Sequence, residues 1–483
     1  MAVVVGKSRI FSGMIWTTIQ TLVNRSLGFL VKLVLARLLF PEDFGVVGMA
    51  AVFISFINVF NDLGIGAALI QRKKEKLREA HYHTAFWSGI VWSILVFLIV
   101  SFLIGPLAAW FYDVSILKLI VPALSLSILV SPINLVQKAQ LTRDLKFKKL
   151  AYISNLSSFL AAIIALIMAF TGFGVWAIVA NAVATNIIAV PFYFMVSKYI
   201  PKLAWDKTCF QEIFGFGIYT TANSLFGKIT SNIDYLIVGK LLGAASLGIY
   251  TFAFIFTDVF RSQLMNIVKS VMFPVFSQLQ NDPKILKNYY LKVVKINGLL
   301  VNPVMFGMIL FSDPLIPYFF GEKWINSIEL INILSLGVIV HMLVNSNSAL
   351  FQAKGKVRAQ LFINIFQTLF FFVPAIVIGT YLFDMVGTAY GFLIAKILSV
   401  IFILIMLEKL LAIKAWSVLK VSSIPLLISL ISFTLVYFLK SYIFPVYLAI
   451  PTYALSVLVF SYLLEKDNVM FLVNKVLKRN DKE

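Results

Sequence analysis

The chain has 483 residues, 60% of them hydrophobic and 13% charged, with a mean hydropathy of +0.94 and a formal net charge of +20. That balance excludes a soluble globular protein, and apolar runs of about 20 residues, the length a helix needs to cross a bilayer, recur throughout. Alternating ten-residue segments of the kind that build a membrane β-barrel are missing, so the expected fold is an all-α polytopic membrane protein.

Fourteen transmembrane helices are predicted, at about 11–38, 44–70, 84–110, 115–137, 150–171, 174–197, 212–238, 246–272, 289–311, 325–351, 361–382, 386–408, 418–438 and 443–464. Lys7 and Arg9 precede the first run, which is too long and too polar for a cleaved leader and is expected to be retained. Within it Thr18, Thr21, Arg25, Gly28 and Lys32 lie three or four apart and form one polar stripe. The second span carries Asn58 and Asp62, four apart. The seventh carries Tyr219, Asn223, Lys228, Ser231 and Asp234, and the eighth Asp258, Arg261 and Lys269. Lys396 in the twelfth has no role assigned by sequence.

Basic residues set the orientation. Of the 41 Lys and Arg, 30 fall on the side shared by the N-terminus and every even-numbered loop, and five on the other. The positive-inside rule then places both termini in the cytoplasm. Basic loops beside anionic headgroups account for the net charge, so no nucleic-acid partner is implied. The single cysteine, Cys209, excludes an intrachain disulfide, and three scattered histidines argue against a metal site, so no metal or other cofactor is expected.

The chain also repeats itself. "LARLLFPEDFGVVGMA" (35–50) lies over "VGKLLGAASLGIYTFA" (238–253) at an offset of 203, which puts Arg37 on Lys240, Gly45 on Gly248 and Ala50 on Ala253. "LSLSILV" (124–130) lies over "LSLGVIV" (334–340) at an offset of 210. Two echoes in the same order indicate a duplicated six-helix unit, 1–210 and 211–410. Because six is even, the copies are parallel repeats. Helices 13 and 14 (411–464) and a basic tail (465–483) have no counterpart.

A charge at mid-bilayer costs about 2.5–3.5 kcal/mol on insertion scales, so the deep cations should face water or the bundle interior. Lys32 and Lys269 lie near enough to span ends to snorkel. Arg25, Lys228 and Arg261 do not, and Arg25 aligns with Lys228 in the repeat. Two explanations stay open: structural ion pairs, such as Arg261 with Asp258, or a cationic, water-filled cavity that holds an anion. Thr21, Asn58 and Asn223 would line such a cavity, and Asp62, Asp234 and Asp258 are candidates for proton or cation coupling.

No phosphate-binding loop, D-x-D carboxylate pair or soluble catalytic domain is present, so the chain is read as a non-enzyme that uses no ATP. Together the span pattern, the paired halves, "LARLLFPEDFG" (35–45) and "MFPVFSQLQND" (272–282) resemble bacterial oligosaccharide flippases of the polysaccharide transporter family, within the multidrug/oligosaccharidyl-lipid/polysaccharide exporter superfamily. The capsule, colanic acid and teichuronic acid exporters are the most similar branch. The resemblance implies a V-shaped alternating-access transporter in the bacterial cytoplasmic membrane. It further implies transfer of an undecaprenyl-diphosphate-linked oligosaccharide to the outer leaflet for surface polysaccharide assembly, with membrane lipids, a polymerase and glycosyltransferases as partners. A drug or cation antiporter of the same superfamily, and a membrane scaffold for polysaccharide enzymes, are the alternatives.

Overall fold

A computed structural model describes residues 7–62, 65–72, 77–197, 199–442 and 445–477, and among these there are helices and turns but no strand. The α-helices in chain order are α1 (Lys7–Leu38), α2 (Pro41–Asp62), α3 (Ile65–Gln71), α4 (Glu79–Ile99), α5 (Gly105–Tyr112), α6 (Leu117–Arg143), α7 (Phe147–Phe170) and α8 (Val175–Ser197). They continue with α9 (Lys207–Gln278), α10 (Pro283–Phe320), α11 (Ser327–Met342), α12 (Asn347–Ala353), α13 (Val357–Gln367), α14 (Val373–Leu411), α15 (Ala415–Tyr442) and α16 (Val446–Leu477). Twelve stretches among the described residues are long and apolar enough to cross a membrane. The chain is therefore a multi-pass membrane protein.

Besides Glu465 at the end of the apolar stretch of α16 and the turn between α11 and α12, the helical backbone breaks inside two of the longest helices. In α9 the break is Gly243, at φ +80°, and in α14 it is Phe383 and Asp384, the latter at φ +52°. Both fall between runs assigned above to separate spans. Single π-helical turns at Val100–Ile104 and Thr368–Phe372 lie just ahead of Pro106 and Pro374, where the missing amide hydrogen already interrupts the ladder.

The fold comprises two compact units, Met1–Gly248 and Ile249–Glu483. In the first, α6 packs on α2, α4 and α8, while α7 packs on α1 and α8. In the second, α10 packs on α11 and α15, α11 on α14, and α15 on α16. Lipid tails are as apolar as leucine, so helices in a bilayer associate through close backbone approach at small residues. The α7–α8 hairpin meets this need with Ala161, Ala165, Ala169 and Ala177, all buried. The hairpin inside α14 does so with Gly379 and Gly387, where a methyl on either would overlap the other's carbonyl. Ala169 and Gly379, and Ala177 and Gly387, are separated by 210 residues, the offset of the second sequence echo.

The same offset recurs in the basic loops. Arg143, at the end of α6, donates from Nη1 to the carbonyls of Leu69 (2.7 Å), Ile70 (3.0 Å) and Arg72 (2.7 Å), and so closes the end of α3. In the second unit Lys354, just after α12, donates to the carbonyl of Gln280 at 2.8 Å. Ile70 and Gln280 are again 210 apart. The positive-φ residues Leu145 and Gly355, at φ +56° and +68°, turn the chain at corresponding points into α7 and α13.

Candidate functional site

The polar stripe of α1 is partly satisfied locally and partly open. Thr21 Oγ1 donates to the carbonyl of Thr17 at 2.8 Å, an i−4 bond that keeps a hydroxyl quiet inside an apolar helix. Asn24, one position off the stripe, donates to Ser154 Oγ at 2.6 Å and points α1 towards α7. Trp16 and Tyr152 extend that contact, with ring centroids 5.9 Å apart, and Lys148 lies over Trp16 at 5.3 Å. Arg25 and Lys32, seven residues apart and hence on one face, are left exposed, and among the described residues neither has an ion-pair partner. An uncovered guanidinium at this depth has to be met by water or by an anion.

The equivalent part of α9 carries Lys228, also exposed, whose carbonyl accepts from Asn232 Nδ2 at 2.8 Å. Asp234 is buried, and its Oδ1 accepts the amide hydrogen of Tyr235 at 3.0 Å. Asn58 on α2 is exposed, whereas the side chains of Asn223 and Asp62 lie outside the described residues. Asp258 and Arg261, one turn apart, are joined: Nε donates to Oδ1 at 3.0 Å and Nη2 reaches the same oxygen. These two candidate charges form an ion pair. Lys396 lies over Phe372 and Phe392, at 4.6 and 5.0 Å from the ring centroids, a cation–π setting that sequence reasoning did not assign.

A second charged cluster was not anticipated. Asp206 caps α9, with its Oδ1 accepting from Cys209 N at 2.8 Å and from the Thr208 hydroxyl. Those bonds hold the Asp206 carboxyl well below the usual carboxylate range, whereas burial and the Asp206 hydrogen bond push the Cys209 thiol up. One turn on, Glu212 receives Arg72 at 2.5 Å and His81 Nε2 at 3.0 Å, while Arg78 donates to Cys209 Sγ at 3.4 Å. The amide of Arg78 donates to His81 Nδ1 at 3.0 Å, which leaves the ring proton on Nε2 to face Glu212. Donor atoms of His81, Cys209 and Glu212 lie within 4.8 Å of one another, and the Arg78 and Arg72 guanidiniums already engage Cys209 and Glu212. The cluster is therefore an ion-pair network tying α9 to the start of α4. The partners are 131 to 140 residues apart, so nothing in local sequence spacing announces it.

The linker after α8 runs along α4. Lys202 N donates to His83 Nδ1 at 3.2 Å, Trp87 Nε1 to the Lys202 carbonyl at 2.8 Å, and Trp205 Nε1 to Ser88 Oγ at 2.9 Å. An apolar groove of about 580 Å³ opens between the two, lined by Trp87, Trp92, Leu95, Leu203, Trp205 and Phe210.

Comparison with known proteins connects this geometry to a lineage. Residues 34–329 match the family described as polysaccharide biosynthesis protein. The chain belongs to that family. It is similar to the lipopolysaccharide biosynthesis protein WzxC of Escherichia coli strain K12, with 28% identity over 398 residues that cover 82% of this chain and 80% of the relative. It is 27% identical over 350 residues to the teichuronic acid biosynthesis protein TuaB of Bacillus subtilis strain 168, covering 72% of each. Among solved structures, the inward closed conformation of the lipid II flippase MurJ superposes with a TM-score of 0.67 at 16% identity, over 94% of this chain and all of that one. At that identity the likeness establishes a common fold. The region matched by the polysaccharide biosynthesis family holds Lys228, Asp258 and Arg261, while Arg25 and Lys32 precede it.

Proposed function

We propose that the chain is a flippase for a polysaccharide precursor, moving an undecaprenyl-diphosphate-linked oligosaccharide from the cytoplasmic to the outer leaflet of the bacterial cytoplasmic membrane. The observation that carries this is the exposed, unpaired cationic face of Arg25 and Lys32 on a membrane helix, in a chain of the polysaccharide biosynthesis family. A diphosphate is the ligand such a face suits, because Arg supplies a bidentate fork and Lys a point charge. The same direction is supported by WzxC, a lipopolysaccharide biosynthesis protein, TuaB, a teichuronic acid biosynthesis protein, and MurJ, a lipid II flippase.

On this reading Arg25, Lys32, Lys228 and Arg261 handle the diphosphate, and Thr21, Asn58 and Asn223 meet the sugars. Arg261 already shares its charge with Asp258, so it contributes less than Arg25. Reading the breaks at Gly243 and at Phe383–Asp384 as turns between spans gives fourteen, with two six-helix repeats (1–210 and 211–410), a terminal pair (411–464) and a tail (465–483). Both termini then lie in the cytoplasm, the repeats alternate access, and no ATP is hydrolysed. Asp62, Asp234 and Asp258 are the candidates for ion coupling, and polymerase and glycosyltransferases are the expected partners. A drug or cation antiporter would need accessible carboxylates, whereas the open face of α1 carries Arg25 and Lys32.

Complementation of a flippase-deficient strain tests the assignment. Wild type should restore polymer, whereas Arg25→Ala and Lys228→Ala should cut export by about tenfold or more and accumulate lipid-linked precursor at matched expression, with Arg261→Ala milder. Normal export by Arg25→Ala would remove the cationic site. Silent bundle variants combined with defective loop variants would favour the scaffold. Export by Asp62→Asn, Asp234→Asn and Asp258→Asn that still responds to a pH gradient would remove the coupling role.

A further inference from the structure

The turn from α1 to α2 and the break in α9 are equivalent in the repeat, and they touch each other inside the unit Met1–Gly248. The offset of 203 that aligns the two sequences carries Phe40 onto Gly243, Pro41 onto Ala244 and Gly45 onto Gly248. The backbone agrees residue by residue: α2 begins at Pro41 just after Phe40, and helix resumes at Ala244 just after the non-helical Gly243. A methyl group on Gly45 would overlap the Ala244 carbonyl oxygen and stand 2.6 Å from its carbon. A methyl group on Gly248 would overlap the Pro41 carbonyl oxygen, 2.5 Å from its carbon and 3.1 Å from the Gly45 nitrogen. Each glycine thus meets the helix-start carbonyl of the other copy.

This reciprocity is the signature of an isologous, two-fold contact, here made within one chain. It contains no side chain at its centre, so two backbones close on each other with no space for water or ligand. Around it Val46, Met49, Tyr112 and Leu247 are buried, and Gly239 lies where a methyl would be 3.4 Å from Met49 Cγ. Neither glycine carries a side chain, so the contact itself is backbone against backbone. A dry seal of this kind is tight when shut and held only by weak contacts.

We infer that Gly45 and Gly248 are positioning residues of a reciprocal backbone clasp, at the ends of the spans opposite the basic loops, which opens and re-forms in each transport cycle. The inference rests on the proposed flippase function and on its orientation, which puts these ends outside the cell.

The test uses two readouts in a flippase-deficient strain. Gly45→Ala and Gly248→Ala should each lower polymer export about tenfold at unchanged membrane level, and the double variant should lose no more than either single, because one contact is removed in each case. Gly66→Ala, off the cationic face and with its methyl in ordinary contact with Leu135 at 3.6 Å, should export normally. In the second readout, Val46→Cys is treated in intact cells with a membrane-impermeant maleimide; the native Cys209 is fully buried and serves as the internal blank. Labelling of Cys at position 46 should rise about tenfold when the lipid-linked precursor is supplied, as expected if an open state that is minor at rest is populated during transport. Normal export by either alanine variant, multiplying effects in the double, or labelling indifferent to precursor would each overturn the clasp. Should the alanine variants fail to accumulate, precursor dependence of labelling alone decides. Failure of wild type to restore polymer would instead overturn the flippase assignment, so the two outcomes separate.

Discussion

The two ends of the first half of α9 are held in opposite ways. At its start, Glu212 and Cys209 are tied to Arg72, His81 and Arg78 by charged hydrogen bonds reaching across more than 130 residues. At its far end, Gly239 lies against Tyr112, Leu247 and Met49, and just past the break at Gly243 the bare Cα of Gly248 lies against the Pro41 carbonyl. The difference separates what each end responds to. Ion pairs at a wet boundary are adjustable by salt and proton concentration, whereas a dry backbone contact is sensitive only to volume.

Volume at the dry end is the largest lever. Even a methyl on Gly239 would lie 2.7 Å from Tyr112 Cε1 and 3.1 Å from Leu247 Cδ2, so Gly239→Leu should destabilise by about 1–3 kcal/mol, read as a lower melting temperature of the purified protein. Next come the capped loops of the wet side. Arg143→Ala strands three carbonyls and should cost about 2 kcal/mol, against about 1 kcal/mol for Lys354→Ala, which loses one bond. Equal losses in denaturation measurements would mean the two loops are not equivalent in energy as they are in position.

Glu212→Gln should have a smaller effect because the carboxylate is partly in solvent, with 43% of its side chain exposed. The comparison sharpens with salt: raising ionic strength from 0.1 to 1 M, where the Debye length falls from about 10 to about 3 Å, should shrink the gap between wild type and Glu212→Gln while leaving the gap for Gly239→Leu intact. The smallest expected effect is that of Asp206→Asn near neutral pH. A depressed carboxyl contributes stability above its unfolded pKa of about 3.9 and loses it as pH falls through the folded value. Wild type should therefore lose stability on acidification below about pH 4, and Asp206→Asn should show a flatter profile there. Parallel profiles would show that the cap is not coupled to folding.

Much of the molecule was legible before any coordinates. Run length and hydropathy defined an all-helical membrane protein, because a bilayer demands about 20 apolar residues per crossing and internally satisfied backbone. The two sequence echoes located the equivalent corners, and breaks at Gly243 and at Phe383–Asp384 fall between expected spans. The stripe of Thr21, Arg25 and Lys32 was visible from helical spacing alone.

Partnership was not. Asp258 and Arg261, three residues apart, were named as a candidate pair and are one, because helical periodicity reaches that far. Glu212 with Arg72 and His81, Asn24 with Ser154, and Lys396 with Phe372 and Phe392 could not be seen, since only packing of distant helices brings them within contact. Gly45 and Gly248 stand at the boundary between these cases. Sequence alone aligned them, at an offset of 203 residues, because a self-similar pattern can be read along the chain. Only the tertiary structure decided that they touch, because a contact between two backbones depends on how the helices cross, which no side-chain pattern along either helix records.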